Sequence, residues 1–297
     1  LVNVDQVSAS AATTGVAINL SSQSEGISIL GGVGADTLRG GSGADTITGG
    51  AGDDLITTGD GVNIIMGLVG GDTVVGGSGV DTILLFSTAA TLNPAIDEQL
   101  VNVDVISAAG ISVAVTVNLA SQTEGYVILG GNGNDTLAGG AGADNINAGG
   151  GNDTIQGFAG NDTVDGGSGV NTIVLLTTPV GLNAAGDGQI VNIQSVSAAS
   201  ATAGVSVSLV RQTEAFSLTG GAGDDTLAGG QGADKIVGGA GADTINGFVG
   251  ADSVDGGLGT DTINLAASSL ELNAATDAQL VNVEIVSAAN ALSSVII

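Results

Sequence analysis

Histidine, cysteine and tryptophan are absent from the 297 residues, and lysine and arginine together number three. Without cysteine there is no disulfide and no thiol nucleophile. Without histidine there is no imidazole base, and the usual tetrahedral zinc and haem ligands are missing with it. Three cationic side chains cannot neutralise a phosphate backbone, so no nucleic-acid partner is expected at a formal charge of −27. Aromatic residues make up 2% of the chain, so a core has to be built from valine, isoleucine, leucine and alanine. Long apolar runs are missing too. The longest uncharged stretch, 188–210, alternates and is broken by Gln189, Asn192, Gln194 and several serines, so no membrane span is expected. At 43% hydrophobic and 11% charged residues the composition is not that of a disordered chain. No basic, signal-like amino-terminal segment is present, and the sequence starts and stops in mid-pattern, as an excerpt of something longer would.

What the chain does have is 53 glycines, 30 aspartates and glutamates, and repetition at two periods. The long period shows as LVNVDQVSAS at Leu1, LVNVDVISAA at Leu100, IVNIQSVSAA at Ile190 and LVNVEIVSAA at Leu280, spaced 99, 90 and 90 residues. Between these lie nonapeptides such as GGVGADTLR at Gly31 and GGNGNDTLA at Gly130, six at 31–84, five at 130–174 and five at 220–264. The organisation expected is a partial spacer at 1–30, block I at 31–84, a spacer at 85–129, block II at 130–174, a spacer at 175–219, block III at 220–264 and a partial spacer at 265–297.

In each nonapeptide, GGxGxD supplies residues that tolerate positive φ and let backbones approach closely, which makes a tight turn. The three residues that follow read as a short strand with one side chain inward. The inward positions are Leu38, Ile47, Ile56, Ile65, Val74 and Ile83, then Leu137, Ile146, Ile155, Val164 and Ile173, then Leu227, Ile236, Ile245, Val254 and Ile263, all aliphatic. Two nonapeptides make one coil, which cannot bury its apolar row alone and must stack. The fold expected is therefore all-β, a parallel β-roll or right-handed β-solenoid. Each complete spacer is 45 residues, five nonapeptide lengths, and can carry the same inward register. That places Val2, Leu20 and Ile29, then Leu92, Val101, Leu119 and Ile128, then Leu182, Val191, Leu209 and Leu218 inside, with misses at Ala11, Gly110 and Ser200. The spacers thus read as degenerate rungs. The competing reading is a small antiparallel insert, because the alternation from Ile111 to Leu119 is long for a three-residue strand. Asn93 with Asn102 and Asn183 with Asn192, each nine apart, suggest stacked asparagine ladders.

GGxGxD followed by x-aliphatic-x resembles the RTX, or haemolysin-type, calcium-binding nonapeptide repeat of β-roll proteins. The resemblance covers 144 residues directly. It implies Ca²⁺ held between turns two nonapeptides apart, and the chemistry agrees, since calcium takes six to eight oxygens from carboxylates and carbonyls. The ligands implied are Asp36, Asp54 and Asp72 on one side of block I, with Asp45, Asn63 and Asp81 on the other. In block II they are Asp135, Asp153 and Asn171, opposite Asp144 and Asp162. In block III they are Asp225, Asp243 and Asp261, opposite Asp234 and Asp252. A block of m turns gives m − 2 internal sites, so about ten ions are expected, taking the formal charge from −27 to about −7. Thr58 and Asn63 depart from the pattern in one turn, and Leu68, Phe158 and Phe248 replace the second glycine in three others.

No enzyme is expected, because every prominent aspartate has an equivalent in neighbouring repeats, which suits a lattice and not one unique site. The resemblance implies a chain that folds on Ca²⁺ after type I secretion from a bacterium, as a structural segment of a long cell-surface or extracellular protein: an adhesin, a surface-layer protein or a filament. The alternative is a non-catalytic RTX module of a type I-secreted enzyme or toxin. Besides calcium, the partners expected are a second copy of the chain stacked end to end or the continuation of a longer repeat array, since solenoid ends expose unpaired strand edges.

Overall fold

The computed structural model describes residues 3–69, 71–86, 92–93, 96–159, 161–289 and 291. The chain divides into two compact units, Leu1–Gly151 and Asn152–Ile297. Each is a parallel β-solenoid.

In the first unit, strands at 6–8, 28–30, 46–48, 63–66, 81–84, 105–107, 127–129 and 145–147 form one parallel ladder. Strands at 17–19, 37–39, 55–57, 73–75 and 100–101 form another, and 116–118 pairs with 136–138. In the second unit the ladders are 154–156, 172–174, 195–197, 217–219, 235–240, 253–258 and 280–281, then 206–208, 226–228, 244–246, 262–264 and 285–287, and the pair 163–165 with 190–191. Strands are mostly three residues long because the glycine turn resumes every nine. The aliphatic at the centre of each strand is the inward one, and all sixteen expected positions are buried. Isoleucine stacks on isoleucine down the axis, as in Ile29, Ile47, Ile65 and Ile83, each two nonapeptides after the last. Each such side chain is worth about 1.5–3 kcal/mol of burial, so a coil becomes stable only through its neighbours.

The spacers continue these ladders, and among the described residues every pairing they make is parallel. Of the alternating stretch before Leu119 only Thr116–Asn118 is strand. Their register, however, is not the nine-residue one. Ile106, not Val101, stacks on Ile83, and Leu100 stacks on Val74. The coils lengthen beyond two nonapeptides, first from Ile83 to Ile106 and then from Ile106 to Ile128, and the two together restore Ile128 to the position that counting by nines gives it. The second unit repeats this with Ile173, Val196 and Leu218. Val101 is accordingly only half-buried and Val191 is exposed, while Leu92, Leu119, Leu182 and Leu209 are buried as expected and Leu20 only partly so. Val2 lies outside the described residues. The first of these lengthened coils holds 3-10 turns at Asp97–Gln99 and Asp187–Gln189 and short helices at Val180–Ala184 and Leu270–Asn273, which the periodicity gave no sign of. Neither expected asparagine ladder forms: Asn93 Oδ1 accepts the Asn118 amide at 3.0 Å, Asn183 Oδ1 accepts that of Ser208 at 2.8 Å, and Asn102 and Asn192 occupy left-handed turns instead. Among the described residues no helix is long and apolar enough to cross a membrane.

Candidate metal centres

All fourteen turn aspartates, together with Asn63 and Asn171, are buried. That is an unusual place for carboxylates in a chain with three cationic side chains. Their position follows from the turn: GGxG folds the backbone back on itself, and the aspartate at its end points under the turn toward the preceding coil of the same ladder.

Within each unit the aspartates form files. Asp54 Oδ1 accepts the Asp36 amide at 2.8 Å and Asp72 Oδ1 accepts the Asp54 amide at 2.8 Å. On the other side of the first unit, Asn63 Oδ1 accepts the Asp45 amide at 2.8 Å. In the second unit Asp243 caps Asp225, Asp261 caps Asp243 and Asp252 caps Asp234, at 2.8, 2.8 and 2.9 Å, while Asn171 caps Asp153 at 2.9 Å. The first two turns of each block have no Gly-Asp turn below, and there Oδ1 of Asp36, Asp45, Asp135, Asp144, Asp225 and Asp234 accepts the amide of Val16, Ile27, Val115, Tyr126, Val205 and Phe216 respectively.

The second carboxylate oxygen separates two kinds of turn. In those first turns the amide of the second glycine donates to it, as Gly32 does to Asp36 Oδ2 at 2.7 Å and Gly221 to Asp225 Oδ2 at 2.6 Å. In the turns of Asp54, Asp243 and Asp261, each above a Gly-Asp turn, the second glycine turns over, with φ at +115 for both Gly50 and Gly239 and +100 for Gly257, whereas Gly77, above the Asn63 turn, keeps its amide on Asp81 Oδ2. The amide is withdrawn, and Asp54, Asp243 and Asp261 are left with a buried Oδ2 that has no hydrogen-bond partner. A buried carboxylate oxygen without a partner is costly and marks a place for a positive ligand. Leu68, Phe158 and Phe248 give a third arrangement, in which the amide three residues before Asp72, Asp162 or Asp252 donates to Oδ2 at 2.7, 2.6 and 2.9 Å. Those turns keep their aspartate, and Phe158 and Phe248 fold their rings into the core.

Carbonyl oxygens complete the donor set. A Cβ on Gly50 would fall on the Gly32 carbonyl oxygen, and one on Gly52 on the Gly34 carbonyl carbon, so only glycine lets stacked turns approach this closely. Asn63 displays the result. Its Nδ2 donates to Asp81 Oδ1 at 2.8 Å and stands 3.5, 3.4 and 3.4 Å from the carbonyl oxygens of Gly59, Asp60 and Gly61. Four oxygens, carbonyls and one carboxylate, surround one positively polarised nitrogen. Among the described residues no three acidic side chains converge on a point, so a cation here draws most of its ligands from the main chain. Such hard oxygen donors fit calcium and offer nothing to a soft metal.

Burial, with neighbouring carboxylates, disturbs the ionisation of these groups. It pushes Asp243 up to about 6, aided by Asp225, Asp261 and Asp224 and opposed by the Asp225 amide. Asp72 and Asp252 are likewise pushed up to about 6, chiefly by desolvation. Asp54, Asp144 and Asp234 are raised for the same first reason.

Sequence reasoning missed the spacer residues that close each block. Gln99, Gln189 and Gln279 donate through Nε2 to the carbonyls of Asp72, Asp162 and Asp252 at 3.3, 3.2 and 3.3 Å. The signal was the fixed offset of 27 residues from the fifth turn of block I and the fourth turn of blocks II and III.

The family model described as RTX calcium-binding nonapeptide repeat (4 copies) matches residues 30–65, 57–85, 127–155, 139–173, 217–236 and 229–263, together half of the chain. A search of the curated proteins found no match.

Proposed function

Because the chain belongs to the RTX calcium-binding nonapeptide repeat family, we propose that its buried aspartates hold about ten Ca²⁺ ions between stacked turns, and that these ions make it a rigid structural segment of a long secreted bacterial surface protein. The observation that carries this reading is the set of fully enclosed Oδ2 atoms on Asp54, Asp243 and Asp261 that meet no donor. The ligands proposed are pairs two nonapeptides apart: Asp36 with Asp54, Asp54 with Asp72, Asp45 with Asn63, Asn63 with Asp81, Asp153 with Asn171, Asp225 with Asp243, Asp243 with Asp261 and Asp234 with Asp252. Asp135, Asp144 and Asp162 share the same turn position and burial and belong to the same set.

Calcium supplies positive charge where the chain has none. With the ion absent, the carboxylates repel across stacked turns and a glycine-rich backbone has much entropy to lose. At tenfold excess over Kd each ion contributes about 1.4 kcal/mol, so about ten contribute about 14 kcal/mol, comparable with the whole stability of a typical domain. Extracellular calcium modules bind with Kd of about 10⁻⁴–10⁻³ M, far above free cytosolic calcium. The proposed consequence is a chain unfolded inside the cell, exported in that form by type I secretion and folded outside. Its aspartates recur at equivalent positions in neighbouring repeats, which supports a structural role over a catalytic one. Circular dichroism in EGTA and in millimolar calcium tests this: a disordered spectrum that becomes β on adding calcium supports it, and a β spectrum indifferent to EGTA refutes it.

A further inference from the structure

The top turn of each block is closed by a spacer turn, 23 positions on where the blocks use 18. In the first unit the Asp81 amide donates to Asp104 Oδ2 at 2.8 Å, and Asp104 returns its own amide to the Asp81 carbonyl at 3.0 Å. In the second unit Asn171 donates to Gln194 Oε1 and Asp261 to Glu284 Oε2, both at 2.7 Å. Each spacer turn contains an asparagine in the left-handed region, Asn102, Asn192 or Asn282 at φ 53, 57 or 50, which does what a positive-φ glycine does in the blocks. The spacer therefore rebuilds the upper half of a Gly-Asp corner from different residues.

The corner of block II differs in charge from the other two, and its two partners change together. Block II pairs two amides, Asn171 and Gln194, and satisfies itself: Asn171 Nδ2 donates to the Asn192 carbonyl at 3.0 Å. Block III pairs two acids, Asp261 and Glu284. A Cβ on Gly256 would fall against both the Asn282 carbonyl oxygen and Asp261 Oδ2, so where block II has a donor facing a carbonyl, block III has two acceptors facing each other. Asp261 is fully buried and its Oδ2 has no partner. Block I repeats this pairing with Asp81, Asp104 and the Asn102 carbonyl beside Gly76, although there the Gly77 amide also reaches Asp81 Oδ2 at 3.0 Å. Capping a backbone amide does not require an acid, as Gln194 demonstrates.

We propose that the spacers complete two further calcium sites outside the nonapeptide pattern, one of Asp261, Glu284 and the Asn282 carbonyl and one of Asp81, Asp104 and the Asn102 carbonyl, and that the Asn171–Gln194 corner takes no ion. This rests on the reading that the Gly-Asp turns bind calcium, and it makes the spacers metal-bound caps that hold each array closed at its top. The test is calcium stoichiometry of the whole chain by equilibrium dialysis, with Glu284→Gln and Asp104→Asn, which keep the capping acceptor as block II does. Each variant is expected to lose one ion and the double variant two, with the calcium-bound β spectrum retained. A double variant with the wild-type count overturns the proposal alone; a wild type that binds no calcium overturns the underlying reading as well. Should the acid-to-amide variants fail to fold, Asn171→Asp with Gln194→Glu carries the test: one ion gained supports the proposal and none gained refutes it.

Discussion

Three glycines separate the contributions to turn stacking. Gly188 has ordinary φ and nothing within 4 Å of the place a Cβ would take; Gly110 has φ +88 and equally open surroundings; Gly50 has φ +115 and would set its Cβ against the Gly32 carbonyl oxygen. That oxygen also accepts the Ala51 amide at 2.9 Å, so moving it aside breaks a rung of the ladder. Gly188→Ala is expected to change stability by no more than about 0.5 kcal/mol. Gly110→Ala should cost about 1–2 kcal/mol, the cost of a left-handed backbone with a Cβ. Gly50→Ala carries that cost plus about 1–3 kcal/mol of overpacking, about 2–5 kcal/mol together. Urea unfolding in millimolar calcium, followed by circular dichroism, gives the order directly. If Gly50→Ala unfolds at the same urea concentration as Gly110→Ala, close stacking of glycine turns is not what the fold depends on.

Acidity should stabilise the metal-free fold. Asp72, Asp243 and Asp252 are raised from 3.8 to about 6, so the native state binds extra protons between those values. Their contribution is present below pH 3.8 and is lost as pH rises through about 6. In EGTA the disordered spectrum should therefore gain β structure as pH falls from neutral toward 5, while calcium affinity declines over the same interval; no gain of β structure on acidification would contradict the burial argument. Asn63→Asp exchanges the amide that bonds Asp81 Oδ1 for a second carboxylate. It should disfavour the metal-free fold further, by about 1–3 kcal/mol, and tighten calcium binding in calorimetry, and a loss of affinity would count against the turn as a ligand. Ile155→Ala empties a fully buried strand centre and should cost about 2–5 kcal/mol, whereas Val33→Ala, exposed at a turn, should cost about 0.5 kcal/mol or less in the same urea assay.

The nonapeptides were legible because each carries its turn, its strand and its inward side chain in nine residues, and the next coil repeats them in phase. Leu38, Ile155 and Ile263 could be placed from period alone. The spacers were legible as solenoid but not in register. Their two lengthened coils together span as much chain as five nonapeptides, so counting by nines reached Ile128 correctly while choosing Val101 over Ile106 on the way. The helices at Val180–Ala184 and Leu270–Asn273 lie in the first of those coils and leave no trace in a period. The pairing of aspartates two nonapeptides apart followed from strand alternation. The turnover of Gly50, Gly239 and Gly257 did not, because it depends on what lies in the coil below. Asp104, Gln194 and Glu284 share one column of the LVNVD, IVNIQ and LVNVE strings, and only the stacking reveals that this column caps Asp81, Asn171 and Asp261.

The most direct measurement is an anomalous difference map, at a wavelength where calcium scatters strongly, from crystals grown in millimolar calcium. The account predicts peaks between Asp36 and Asp54, between Asp54 and Asp72 and between Asp225 and Asp243, each ringed by turn carbonyls. Well-ordered turns with no anomalous density at those three places would contradict it.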